Sequence, residues 1–104
     1  MWFAVSLFYE SQHSPDLRSS PLWEESICLV DTPTQEDAVL AGEEIGKRRA
    51  SSYLVDSATV SWVFRGVQRA YPIESDEIAS GVEVFSRFLR DSEAQSLLTP
   101  FEDE

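Results

Sequence analysis

Apolar and mixed positions alternate through the opening stretch MWFAVSLFYE. Phe3, Val5, Leu7 and Tyr9 form one row, and Trp2, Ala4, Ser6, Phe8 and Glu10 form the other. A period of two belongs to a strand, whose successive side chains point to opposite faces, so residues 2–10 are predicted to be a strand. SQHSPDLRSSP then supplies turn residues and reads as a long loop that carries His13. LWEESICLV over 22–30 reads as a second strand. In DTPTQEDAVLAGEEIGKRRA the period changes to that of a helix, with Ala38, Ala41, Gly42, Ile45 and Gly46 on one stripe. Thr34 with Asp37 three residues on is close to a capping box. Glu36 and Asp37 suit the positive first turn, and Lys47, Arg48 and Arg49 suit the negative last one.

Strand composition returns from Tyr53. SATVSWVFRGV alternates Val60, Trp62 and Phe64 against Ser61, Val63 and Arg65, and Gly66 marks a bulge or bend. An extended piece over 67–71 ends at Pro72. IESDEIASG is an acidic connection with a turn at Ser80 and Gly81, and VEVFSRFLR reads as the last strand. The expected fold is α+β: a mostly antiparallel sheet of four to five strands with one helix packed on one face, in the order β-β-α-β-β-β. Residues 1–92 would form the single domain and 93–104 an acidic C-terminal tail.

One helix covers only one face of a sheet, so the rows must be assigned to faces. The more apolar rows are placed under the helix: Phe3, Val5, Leu7, Tyr9, Trp23, Ile27, Leu29, Val60, Trp62, Phe64, Val84 and Phe88. The opposite face then collects Trp2, Ser6, Phe8, Glu24, Ser26, Cys28, Val63, Arg65, Glu83, Phe85, Arg87 and Leu89. That set is richer in aromatic and apolar residues than a solvated face requires. On it, Glu24 and Glu83 are expected to pair with Arg65 and Arg87 across neighbouring strands. Glu25 would share the core row with Trp23, near a strand end, unless a bulge exchanges the two glutamates.

Composition narrows the possible partners. Nineteen Asp and Glu against eight Lys and Arg give a net charge of −11. The basic cluster KRR sits at a helix end, so nucleic acid is a poor partner. The single cysteine, Cys28, excludes an internal disulfide framework and a thiolate zinc site, and it fits a reducing cytoplasm. The apolar run at the start is far too short to span a membrane. There is no phosphate-binding glycine loop and no nucleophile elbow, and His13 has no companion ligand at helical spacing. No cofactor or metal is expected.

The pieces WFAVSLFYE, LWEESICLV, VSWVFRGV and GVEVFSRFLR, in this order around a helix with paired glutamates, resemble a small bacterial family known as domain of unknown function 4288 (DUF4288). The resemblance spans most of residues 1–90, and EES and EVFSRF are its most specific parts. It implies no reaction, cofactor or catalytic residue. The chain departs from the family in having VDSAT where members tend to have an Asn-Gly turn before the tryptophan strand.

The reading favoured over catalysis is a small acidic protein-interaction module or homo-oligomer subunit. Its partners would be a second copy, as a two-fold dimer through the face opposite the helix with Trp2, Phe8, Val63 and Phe85 in apolar contact, or a basic protein; the C-terminal segment with Leu97, Leu98 and Phe101 is the rival cover of that face and would leave a monomer. An immunity or inhibitor protein that neutralises a basic toxin or nuclease is one alternative. The other is a small enzyme using Glu24 or Glu83 as base, with Arg65 or Arg87 holding an anionic substrate. Nearby arginines lower a carboxylate's pKa and so oppose that base.

Overall fold

The computed structural model describes residues 1–14, 21–55, 58–75 and 77–99. The chain is α+β with an antiparallel sheet. Strands β1 (Trp2–Ser14) and β2 (Trp23–Asp31) precede helix α1 (Gln35–Arg49), and β3 (Ser51–Val55) and β4 (Ala58–Pro72) follow it. The described strands form one sheet in the order β2-β1-β4-β3, which puts β2 and β3 at its edges. A second helix, α2 (Asp91–Leu98), takes up the segment read as an acidic tail opening with a helical turn.

The helix forms where its end signals placed it. Thr34 is the N-cap, its hydroxyl accepting from the Asp37 amide at 3.1 Å. Ala38, Gly42 and Gly46 are its buried positions. A Cβ on Gly42 would lie 2.5 Å from Cγ1 of Val5, and one on Gly46 would strike the Phe64 ring, so the two glycines set how closely helix and sheet approach. Hydrogen bonds fix both ends of this contact. Gln35 Nε2 donates to the Ala70 carbonyl at 2.6 Å, and the Tyr9 hydroxyl donates to the Gly46 carbonyl at 3.1 Å.

Between helix and sheet lies the main core: Phe3, Val5, Leu7, Tyr9, Val30, Ala38 and Ala70, with Trp62, Phe64 and Val67 packed against it. Burial raises the pKa of the Tyr9 phenol above 10.0, against the opposing pull of Arg49; Cys28 and Glu24 raise it further. A folded-state pKa above the unfolded one means that the stabilisation is complete below pH 10 and is lost as pH rises through the folded value. Thermal melts from pH 9 to 11 should therefore show the wild type losing more stability than Tyr9→Phe. Equal losses would show that Tyr9 does not carry the effect.

Three departures from the expected order have simple causes. The first strand continues through Ser11, Gln12 and His13, which pair with Trp62, Ser61 and Val60, so His13 is a half-buried strand residue and not a loop residue. Its long partner β4 supplies the pairing that local turn propensity did not foresee. The rest of that expected loop, 15–20, lies outside the described residues, as does the turn at Asp56.

Second, residues 58–72 are one strand, not two. Its pairing with β1 shifts between Ser6 and Leu7 and again between Phe8 and Tyr9, and Gly66 at the second shift has φ +138°. A bulge bends a strand without ending it, and glycine tolerates that backbone. Third, the described residues contain no fifth strand. After the turn at Ser80 and Gly81, residues 82–90 run extended without joining the sheet ladder.

A candidate interaction face opposite the helix

The registers decide which side chains share a face. Phe8 lies opposite Glu25 of β2, Ser6 opposite Ile27, Ala4 opposite Leu29, and Glu10 opposite Trp23. The face away from α1 therefore holds Trp23, Glu25, Ile27 and Leu29, while Glu24, Ser26, Cys28 and Val30 lie on the helix side. This corrects the face assignment of β2. Glu24 leaves the expected constellation and is exposed beside Tyr9, and Trp23, Ile27 and Leu29 leave the expected core. No bulge is involved, since the β1–β2 register runs without a shift. The apolar row of β2 sits away from the helix because an edge strand lies at the rim of the helix's footprint, where it can be left open.

The other expected residues do gather on this face, with different partners. Arg65 Nε is 2.8 Å from Glu10 Oε1, and Arg87 Nη1 is 3.0 Å from Glu25 Oε1. The Ser6 hydroxyl, fully buried, donates to the other Glu25 oxygen at 2.5 Å. Glu83 is exposed and accepts from the Tyr71 hydroxyl at 3.4 Å. Phe85 packs on Tyr71 with ring centroids 5.6 Å apart, and the Arg69 guanidinium lies over both rings at 5.1 and 5.9 Å. Arg69 Nη1 also donates to the Ser86 carbonyl at 3.2 Å. Phe8 contacts Trp23 at 6.5 Å between centroids, Val63 is half-buried opposite Glu10, and Trp2 is half-buried at the far end, opposite Asp31.

These contacts show what covers the face. The extended segment over 82–90 touches β4 through Phe85 and Ser86 and touches β2 through Arg87, so it crosses over β1. Ala4 and Ser6 are completely buried beneath this crossing. VEVFSRFLR has the alternation of a strand because one of its rows packs down, but its backbone lies on a sheet face and not at a sheet edge. Val84 and Phe88, expected in the core, are exposed. Glu25, expected on the core row with Trp23, lies on this face instead, and Ser6 lies where its parity with Phe8 puts it. Arg69, Tyr71 and the pairing of Glu10 with Arg65 are not foreseen by the sequence reading.

Glu25 ties the cover to the sheet. Glu25→Ala would leave the buried Ser6 hydroxyl without its acceptor and Arg87 without its anion. The expected cost is about 2 kcal/mol, reduced from the range for a fully buried pair because Arg87 is partly exposed. Limited proteolysis should then cut between residues 82 and 90 faster than in the wild type. Unchanged cleavage would mean that this pair does not hold the segment.

The sheet separates Glu24 from Arg65 and Arg87, so the expected base and anion-holding residues are not assembled into one site. A cleft of 140 Å³ between Tyr71, Glu74, Ser75, Val82 and Glu83 is small beside the roughly 300 Å³ at which ligand pockets begin, and a larger hollow of 390 Å³ beside Leu89 and Leu97 is shallow and open to solvent. Among the described residues no group of three or more His, Cys, Asp or Glu could hold a metal ion, and no helix is long and apolar enough to cross a membrane.

The molecule is thus a small α+β domain whose antiparallel sheet is covered by a helix on one face and by its own extended C-terminal segment on the other. The chain belongs to the family described as Domain of unknown function (DUF4288), whose model matches residues 2–86. No curated protein and no solved structure matches it.

Proposed function

We propose that this domain is a non-catalytic protein-interaction module whose partner is a second copy of itself, joined through β2. The observation that carries this reading is the open apolar row on that strand: Trp23, Ile27 and Leu29 are 54, 45 and 45 % exposed.

The backbone of the same strand is suited to pairing. The Thr32 amide donates to the Met1 carbonyl and the Ser11 amide to the Leu22 carbonyl, extending the β1–β2 ladder at its two ends. Hydrogen-bonded pairs alternate along an antiparallel ladder, so the even residues of β2 face β1. Trp23, Glu25, Ile27, Leu29 and Asp31 therefore direct their amides and carbonyls to the outer edge. β2 carries neither proline nor lysine, two common guards of an edge strand.

A two-fold axis through Ile27 would pair the two β2 strands antiparallel. It would place Glu25 opposite Leu29 of the second copy and Trp23 opposite Asp31, with no like charges directly facing. Ile27→Lys, at an exposed position, should give a folded monomer by light scattering and circular dichroism where the wild type is a dimer. A wild type that stays monomeric at high concentration would overturn the proposal.

The net charge of −11 supports a second reading, binding of a basic protein as an inhibitor or immunity protein would. Salt separates the two. Self-association should strengthen as salt screens repulsion between two acidic copies, whereas affinity for a basic partner should weaken. A cytoplasmic, bacterial setting belongs to the same reading, supported by the single cysteine and the family resemblance.

A further inference from the structure

Resting on that dimer reading, we infer that α2 is an exchanged arm, docking on the open Trp23, Ile27 and Leu29 row of the second copy. The first observation is that, among the described residues, α2 meets none of the other helices or strands, and none of its residues is buried. Phe88 before it is wholly exposed, and Leu97 and Leu98 are 62 and 78 % exposed. The radius of gyration, 16.3 Å, exceeds the roughly 13 Å of a compact chain this long, as an outlying arm would make it.

Direction is the second observation. The segment leading to α2 meets β4 first, through Phe85 and Ser86, and β2 last, through Arg87 and Glu25. Its course is therefore towards the β2 edge, where a second copy would pair. From Arg87 to Leu98 the chain spans roughly 20 Å as a short extended link and two helical turns. Strands are about 4.8 Å apart, so the arm is long enough to lie across the second copy's β2.

The two surfaces are also of the same chemistry. Leu89 and Leu97 line a shallow hollow of 390 Å³ between the segment and α2, and Trp23 is the largest exposed side chain of the row it would receive. Two-fold symmetry makes the exchange reciprocal, so each arm covers the row that the other chain leaves open. Isolated helices as short as α2 are marginal in water, and docking would supply the packing it lacks.

Cross-linking tests the exchange in the full chain. In a Cys28→Ser background, a Leu97→Cys chain is mixed with a Leu29→Cys chain, left to exchange subunits, and treated with a short bismaleimide. The expected product is a covalent pair of twice the chain mass, absent when either chain is treated alone. In parallel, Leu97→Asp with Leu98→Asp should raise the dimer dissociation constant by at least roughly 100-fold, from the loss of two docked leucines on each of the two arms, with an unchanged circular dichroism spectrum for the sheet. If the wild type is dimeric, Ile27→Lys breaks it, and the arm variant and cross-link show nothing, the edge pairing stands and the exchange is overturned. Cross-linking only within a chain carrying both cysteines, at single-chain mass, overturns it as well. A wild type monomeric at every concentration removes both proposals.

Discussion

Leu7→Ala is expected to lower stability by about 3 to 4 kcal/mol. Leu7 is fully buried at the centre of the helix-facing row, with the helix above it and long strands on both sides. Those neighbours cannot collapse into the vacated volume, so the cavity adds to the lost transfer energy. For a domain of this size the melting temperature should fall by roughly 15 to 20 °C. Chemical denaturation should show the midpoint shifting at constant slope, which marks a change of stability and not of the denatured state. Leu40→Ala, at a 60 % exposed position on the helix, serves as the control, with an expected change within about 0.5 kcal/mol. Comparable losses at both positions would mean that the core does not lie between α1 and the sheet.

Gly42→Val tests that same contact from the other side and should cost about 3 kcal/mol. A Cβ at this position would lie 2.5 Å from Val5 Cγ1 and 3.1 Å from Val67 Cγ2. Both neighbours are β-branched and stiff about χ1, so neither can turn aside cheaply. Helix propensity points the other way, since replacing a glycine inside an exposed helix gains up to about 1 kcal/mol. Overpacking outweighs it here because Gly42 is buried against strands at both of those contacts. The measurement is the unfolding free energy of Gly42→Val against wild type. A neutral or stabilising result would show that helix and sheet can separate without loss, contrary to the close approach that the small residues permit.

The helix was legible because its signals are local. Thr34, the acidic first turn, the basic last turn and the stripe from Ala38 to Gly46 act within a few residues of one another, and the structure places α1 accordingly. The first strand was legible for a related reason: from Phe3 to Tyr9 its helix-facing row is wholly apolar, so its alternation states which side meets the helix. The bulge at Gly66 was also written locally, in a residue that tolerates φ +138°.

The candidate face was only partly legible. Phe8, Arg65, Phe85 and Arg87 lie on one side of the sheet as expected, but Glu25 and not Glu24 lies there with them. In LWEESICLV the odd row, Trp23, Ile27 and Leu29, is more apolar than the even row, and apolarity alone sends it to the core. Alternation fixes that neighbouring side chains oppose each other, and leaves open which set faces the helix. That choice was made by the pairing with β1, which sets Val5 opposite Cys28 and Phe8 opposite Glu25. The last segment shows the same limit. VEVFSRFLR alternates like a strand whether it adds to a sheet edge or crosses a sheet face, and Glu25, more than sixty residues away in sequence, accepts the Arg87 guanidinium on the face it crosses. Sequence alone determined the elements whose energetics are local, namely the capped helix and the first strand. The side on which β2 shows its tryptophan, and the path of the C-terminal segment, depended on contacts between distant parts of the chain and were decided only when the sheet assembled.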